Sequence, residues 1–213
     1  MSDLHVIGGV STEWVIGWKA AFLAIEPDLK TLRFRSVALS GGGSYRVDAQ
    51  AECLFHDHVS PYDSCRCGFN SWHDYEVALK YMRFYQALQT GPSYRYHPFI
   101  DFRWSVGLLR VGSYGDVVEG TLNAGYGWHQ WGYRASHQRV SDVFFDGMCV
   151  VPGCGKHGKY VCAGKMTCTS YSELLYPLRL HCPEHAASAK FILQPSGLSQ
   201  RNDVGVYRKL PSE

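Results

Sequence analysis

The sequence predicts an α+β fold: a small, bent, antiparallel or mixed sheet packed by one main helix, followed by a cysteine-rich C-terminal module. Three observations lead there. β-Branched and aromatic runs punctuated by glycine fill most of the first 146 residues, one segment carries a clear helical period, and cysteine and histidine gather again in the last third. A chain of 213 residues with 46% apolar content can bury a sizeable core. The reading divides it into an aromatic-rich α+β domain at 1–146, a module at 147–190 and an extension at 191–213.

The elements follow in order. Trp14 to Leu23 alternates poorly and reads as a strand or a short helix, whereas Leu32 to Leu39 has the period-two character of a strand. Gly41 to Ser44 makes a turn, and Tyr45 to Phe55 reads as further strand. The main helix runs from about Ser71 to Leu88: Tyr75, Leu79, Met82 and Tyr85 recur at helical spacing, with Val77, Tyr81, Phe84 and Leu88 widening the apolar surface. Ser71 and Asp74 approximate a capping box, and Gly91-Pro92 supplies a stop. Three strand-rich pieces then follow, Trp104 to Val111, Gly115 to Glu119 and Gly127 to Val140, separated by turns or bulges.

Composition narrows function only a little. Twenty-one Lys plus Arg against 19 Asp plus Glu leave a net charge of +2, which neither identifies nor excludes a nucleic-acid partner. Six Trp, fourteen Tyr and ten Phe supply rings for a core or for a binding groove. The start has no basic region followed by an apolar run, and no segment is long and apolar enough to span a bilayer, so the expectation is a cytoplasmic protein without membrane partners. No G-x-G-x-x-G, phosphate-binding loop or H-E-x-x-H motif occurs.

The cysteines carry the sharpest chemistry. Cys149-Val-Val-Pro-Gly-Cys154 places two sulfurs around a turn made by Pro152 and Gly153, and Cys182-Pro-Glu-His185 adds a second short pair. Two such pairs joined by a long loop suit a closed tetrahedral zinc site with Cys149, Cys154, Cys182 and His185 as ligands, which makes 147–190 a zinc-binding module. His157, Cys162, Cys168 and His181 are nearby donors; Cys162 can replace a ligand, but the simpler account leaves the cysteines as packing residues and the histidines at the surface or behind the ligands. Cys53, Cys65 and Cys67 can form a second zinc group with His73 as fourth ligand; His56, His58 or a distant imidazole compete for that place, and buried thiols or a local disulfide are the alternative.

Two other functional readings stay open. Cys67 stands shortly before the helix, whose N-terminus favours a thiolate, so a Cys-His hydrolase with His129 or His137 as base is an alternative. Trp128 to Arg139 joins aromatic, basic and hydrogen-bonding groups, and Trp128, His129, Trp131, Tyr133, Arg134 and Arg139 form a candidate surface for a protein partner or, through Arg134 and Arg139 on phosphate, for nucleic acid.

The ordered pair Cys65-Arg-Cys67-Gly68-Phe69 and Gly132-Tyr133-Arg134-Ala135 resembles a poorly characterised family of small actinobacterial and actinophage proteins, over about Trp14 to Arg139. The resemblance implies a shared scaffold in a host or mobile-element setting and no particular reaction. The sequence-level expectation is thus a zinc-stabilised interaction protein that binds another protein, with nucleic-acid binding and hydrolysis as alternatives.

Overall fold

The computed structural model describes residues 5–6, 11–28, 31–37, 44–53, 56–62, 65, 67–90, 105–123, 129–145, 147–158, 160–163, 167–168, 174–187, 192–193 and 206–209. The strands among them are β1 (His5–Val6), β2 (Ser11–Ile25), β3 (Leu32–Ser36), β4 (Asp48–Gln50), β5 (Phe69–Trp72), β6 (Ser105–Asn123), β7 (His129–Phe145), β8 (Tyr160–Ala163), β9 (Thr167–Cys168), β10 (Leu174–His181), β11 (Ile192–Leu193) and β12 (Val206–Lys209). Helix α1 spans Tyr75–Thr90 and the short α2 spans Pro183–Ala186.

The mostly-strand, antiparallel architecture with two described helices fits the α+β class, but the sheet is larger than expected. All twelve described strands join it, and the only parallel pairing among them is β12 on β7. Its centre is a closed circuit: β2 pairs β6, β6 pairs β7, β7 pairs β5, and β5 returns to β2 through the Trp18–Trp72 pair. The three pieces read between residues 104 and 140 are two long strands, β6 and β7. Gly115 marks a register shift inside β6, between Tyr114 and Val117, so the anticipated break is a bulge that bends the strand.

Strand β2 shows why its sequence alternates poorly. Ala20, Phe22 and Ala24 pack into one apolar cluster, with Leu79, Tyr81 and Met82 of α1; Ala21, Leu23 and Ile25 pack into another, with Phe34, Leu109, Val143 and Leu178. A strand buried on both faces has no polar face to alternate with. The helix begins later than its sequence suggests. Asp74 caps it, its Oδ1 accepting from the Glu76 N–H at 2.7 Å, while Ser71 lies buried in β5, 3.4 Å from the Ser113 hydroxyl. Among the described residues of the strand expected over Tyr45 to Phe55, β4 is the strand that forms, flanked by isolated bridges Phe34–Tyr45 and Glu52–Val59. The glycines of the turn read at Gly41 to Ser44 and the stop read at Gly91-Pro92 lie outside the described residues.

The cysteine-rich C-terminal segment contributes strands to this sheet. Tyr176 and Pro177 of β10 pair with Ile25 and Ala24 of β2, and β8 adds to the other edge of β10. Leu178 and Leu180 are buried in the same cluster as Leu23 and Phe34.

Candidate metal centres

Two groups of four donors converge among the described residues: Cys149, Cys154, Cys182 and His185, and Cys53, His58, Cys65 and Cys67. Within each, all donor atoms lie within 4.8 Å of one another.

The C-terminal group is assembled by short-range geometry. After Cys149, whose N–H donates to the Lys156 carbonyl at 2.8 Å, the chain turns so that the Cys154 N–H reaches the Val151 carbonyl at 3.1 Å. Gly153 takes φ +76° inside that turn, a conformation open to glycine without strain. The second pair belongs to α2: Cys182 is its N-cap with Pro183 at its first position, and His185 lies within the helix, three residues on from Cys182. Cys149 and Cys182 are buried, and Val150 donates to the Leu180 carbonyl at 2.9 Å, fastening the turn to β10.

The N-terminal group is assembled at long range. Cys53, His58 and Cys65 sit on the chain between β4 and β5, and Cys67 just before β5. Gly68 follows with φ +108°, and a Cβ there would lie 3.2 Å from the Ala135 carbonyl oxygen, so the backbone passes close against β7. The register of β5 on β7 sets Phe69 opposite Ala135 and Asn70 opposite Arg134. Arg134 Nη1 donates to the carbonyl oxygens of Tyr62, at 3.3 Å, and of Cys65.

Donor spacing tests whether an ion fits. A tetrahedral ion about 2.3 Å from sulfur and about 2.0 Å from imidazole nitrogen sets S–S edges of about 3.8 Å and S–N edges of about 3.5 Å. The edges found are 3.7 Å for Cys154–Cys182 and 3.8 Å for Cys53–Cys65, with nitrogen–sulfur edges of 3.4 Å for His185–Cys149, 3.3 Å for His185–Cys182 and 3.1 Å for His58–Cys67. Both groups can therefore hold a metal ion. A disulfide needs sulfurs about 2.0 Å apart, and the cysteines of both groups are free thiols.

Electrostatics differ between the groups. At Cys182 the His185 backbone N–H is the leading influence and, with the neighbouring side chains, brings the thiol down to about 7. Cys65 is held above the ordinary thiol value, first by desolvation, against a backbone hydrogen bond from Cys67 and with the Cys67 and Cys53 sulfurs adding to the rise.

Several sequence expectations are corrected. The imidazole in the N-terminal group is His58, whose Nε2 lies 3.1 Å from the Cys67 sulfur; His73 Nε2 lies 3.0 Å from a Glu119 carboxylate oxygen and its ring stacks on Tyr133. Arg134 is buried at 7% exposure and holds loop carbonyls, so it offers no phosphate contact at the surface. Cys67 has His58 as its partner, while His137 meets the Ser136 hydroxyl at 2.9 Å and stacks on Tyr114. Of the remaining surface candidates, Trp131 is half exposed, Tyr133 half-buried, and the Arg139 guanidinium lies over the Trp14 ring at 5.7 Å. Trp128 lies outside the described residues, and of His129 and Cys168 only the backbone is described. Cys162 is buried, its thiol raised to about 11 first by desolvation, as a packing residue should be. His157 is exposed, and the buried His181 Nδ1 has no partner among the described residues, its ring held below the usual imidazole range by burial.

The bracing role of Arg134 escaped the sequence reading, although its place in the quoted Gly132 to Ala135 segment was a usable signal. That segment and Cys65 to Phe69 lie side by side as one unit. No described helix is long and apolar enough to cross a membrane. No protein-family model, curated protein or solved structure matches the chain.

Proposed function

We propose that this chain is a zinc-stabilised interaction protein that binds another protein through the loops its metal ions hold. Zinc suits both groups: three thiolates and one imidazole, closed and four-coordinate, are the ligands of a structural zinc site rather than of a hard cation. A cytoplasmic setting, which keeps thiols reduced, belongs to the same reading. So does the resemblance to small actinobacterial and actinophage proteins.

The observation that carries the proposal is what the ligand loops present outward. Val59 and Tyr62, between the ligands of the N-terminal group, are 74% and 51% exposed; Met148 and Val150, flanking Cys149, are 53% and 39% exposed. An apolar side chain on a loop needs a rigid support to act as a binding knob, and a four-ligand ion supplies it. The matching partner has an apolar, pocketed surface. Nucleic-acid binding is the second reading, supported by Arg139 stacked on the exposed Trp14.

Native mass spectrometry with element analysis is expected to find two zinc ions per folded chain; a folded, zinc-free chain overturns the proposal. Partner capture by the zinc-loaded chain should be lost in Met148→Asp and Val59→Asp variants that keep their zinc. Binding of single-stranded oligonucleotides that weakens steeply with salt would favour the second reading.

A further inference from the structure

Arg134 is a buried cation with no counter-charge among the described residues. Arg33 and Arg46 reach Glu26, and Arg110 reaches Asp142, but no described carboxylate pairs with Arg134. Among the described residues its hydrogen bonds go to two backbone carbonyls of the ligand loop, one belonging to the ligand Cys65, and its buried Nη2 has no partner among them. Burying a guanidinium this way is costly unless an opposite charge stands close by.

The N-terminal donor group supplies that charge once loaded. A dication bound by three thiolates and a neutral imidazole carries one net negative charge, whereas three protonated thiols and an imidazole carry none. We propose that the metal–thiolate complex of Cys53, His58, Cys65 and Cys67 is the counter-ion of buried Arg134, which makes Arg134 a positioning and charge-balancing residue for that site. This rests on the reading of the group as a zinc site. Metal binding and the burial of Arg134 are then linked: each lowers the cost of the other.

The C-terminal group is supported differently. Lys156, beside its ligands, is exposed and already paired with Glu184. Its ligands are held instead by the Cys149–Lys156 and Cys154–Val151 backbone hydrogen bonds and by α2. It therefore serves as the internal control.

The test is cobalt(II) titration of the full chain, read by thiolate-to-metal charge-transfer absorption, against Arg134→Gln and Arg134→Lys. The wild-type chain is expected to bind two equivalents. Arg134→Gln, which keeps hydrogen-bonding reach but not charge, should weaken one of the two by about 10- to 100-fold; Arg134→Lys should retain most of the affinity. Undiminished binding in Arg134→Gln overturns the proposal. So does an equal loss in both variants, which would leave only the guanidinium's shape to matter. A wild-type chain that takes up one equivalent, through the C-terminal ligands, overturns the two-site reading itself and is thus a distinct failure. If a variant loses both sites by unfolding, the wild-type chain decides: phenylglyoxal modification at Arg134, mapped by mass spectrometry, should rise severalfold when metal is chelated, and an unchanged extent overturns the linkage.

Discussion

The two donor groups have the same composition, three cysteines and one histidine, and nearly the same edge lengths, yet the fold builds them in opposite ways. The C-terminal group closes around a turn and a helix start, with Cys149 and Cys182 buried and its loop fastened to β10. All four N-terminal ligands are only half-buried, on a long loop braced by an arginine from β7. Donor identity therefore does not set how such a group depends on its host. One group organises its own segment, and the other borrows organisation from the sheet.

That contrast breaks or stands on a series of substitutions. The largest effect is expected from Cys182→Ser, which removes a buried ligand from the self-organised group: one zinc ion should be lost, protection of 147–187 against proteolysis should collapse, and stability should fall by several kcal/mol, since structural zinc binding is folding free energy (~10 kcal/mol in small domains). Retained protection would show that the turn folds without metal. Cys65→Ser should also cost one zinc ion, but with cleavage confined to the loop before β5 and a smaller shift in melting temperature, because the closed strand circuit remains. Collapse of the whole sheet in that variant would erase the distinction.

A third prediction concerns the sheet beneath the N-terminal group. Lys19 is buried at 7% exposure, hydrogen-bonded to Gln138 Oε1 at 3.3 Å and set over the rings of Tyr45 and Phe69, and desolvation lowers its amine from 10.5 to about 7. Between those values the unfolded chain holds a proton that the folded chain does not. Stability contributed through Lys19 should therefore rise with pH from about 7 towards 10.5, with a slope of up to about 1.4 kcal/mol per pH unit. Lys19→Met should flatten this rise in denaturant titrations across that window; an unchanged slope would place the titration elsewhere. The smallest effect is expected from Lys156→Ala. Its exposed pair with Glu184 is screened by solvent, so cobalt affinity of the C-terminal group should change by less than about fivefold. A loss as large as that of Arg134→Gln would mean that both groups depend on a neighbouring cation.

Much of this was readable beforehand, for local reasons. The C-terminal ligand set follows from two short spacings, Cys149 to Cys154 and Cys182 to His185, because a turn or a single helical step fixes where both side chains of a pair point. Helix α1 showed in its period, since its apolar side faces one core cluster, although its start moved to Asp74. The long strands were blurred because both faces of β2 are buried and a bulge interrupts β6.

The N-terminal site divides the two kinds of information. Sequence alone offered Cys53, Cys65 and Cys67 as neighbouring donors able to share an ion. It left open which imidazole joins them, because His56, His58 and His73 are all within reach along the chain. Tertiary structure decided for His58 by committing His73 to Glu119 and Tyr133 at the end of β5. It also turned Arg134 inward. Alternation along a strand says which residues share a face, but whether that face meets water or another loop depends on a segment about 70 residues away.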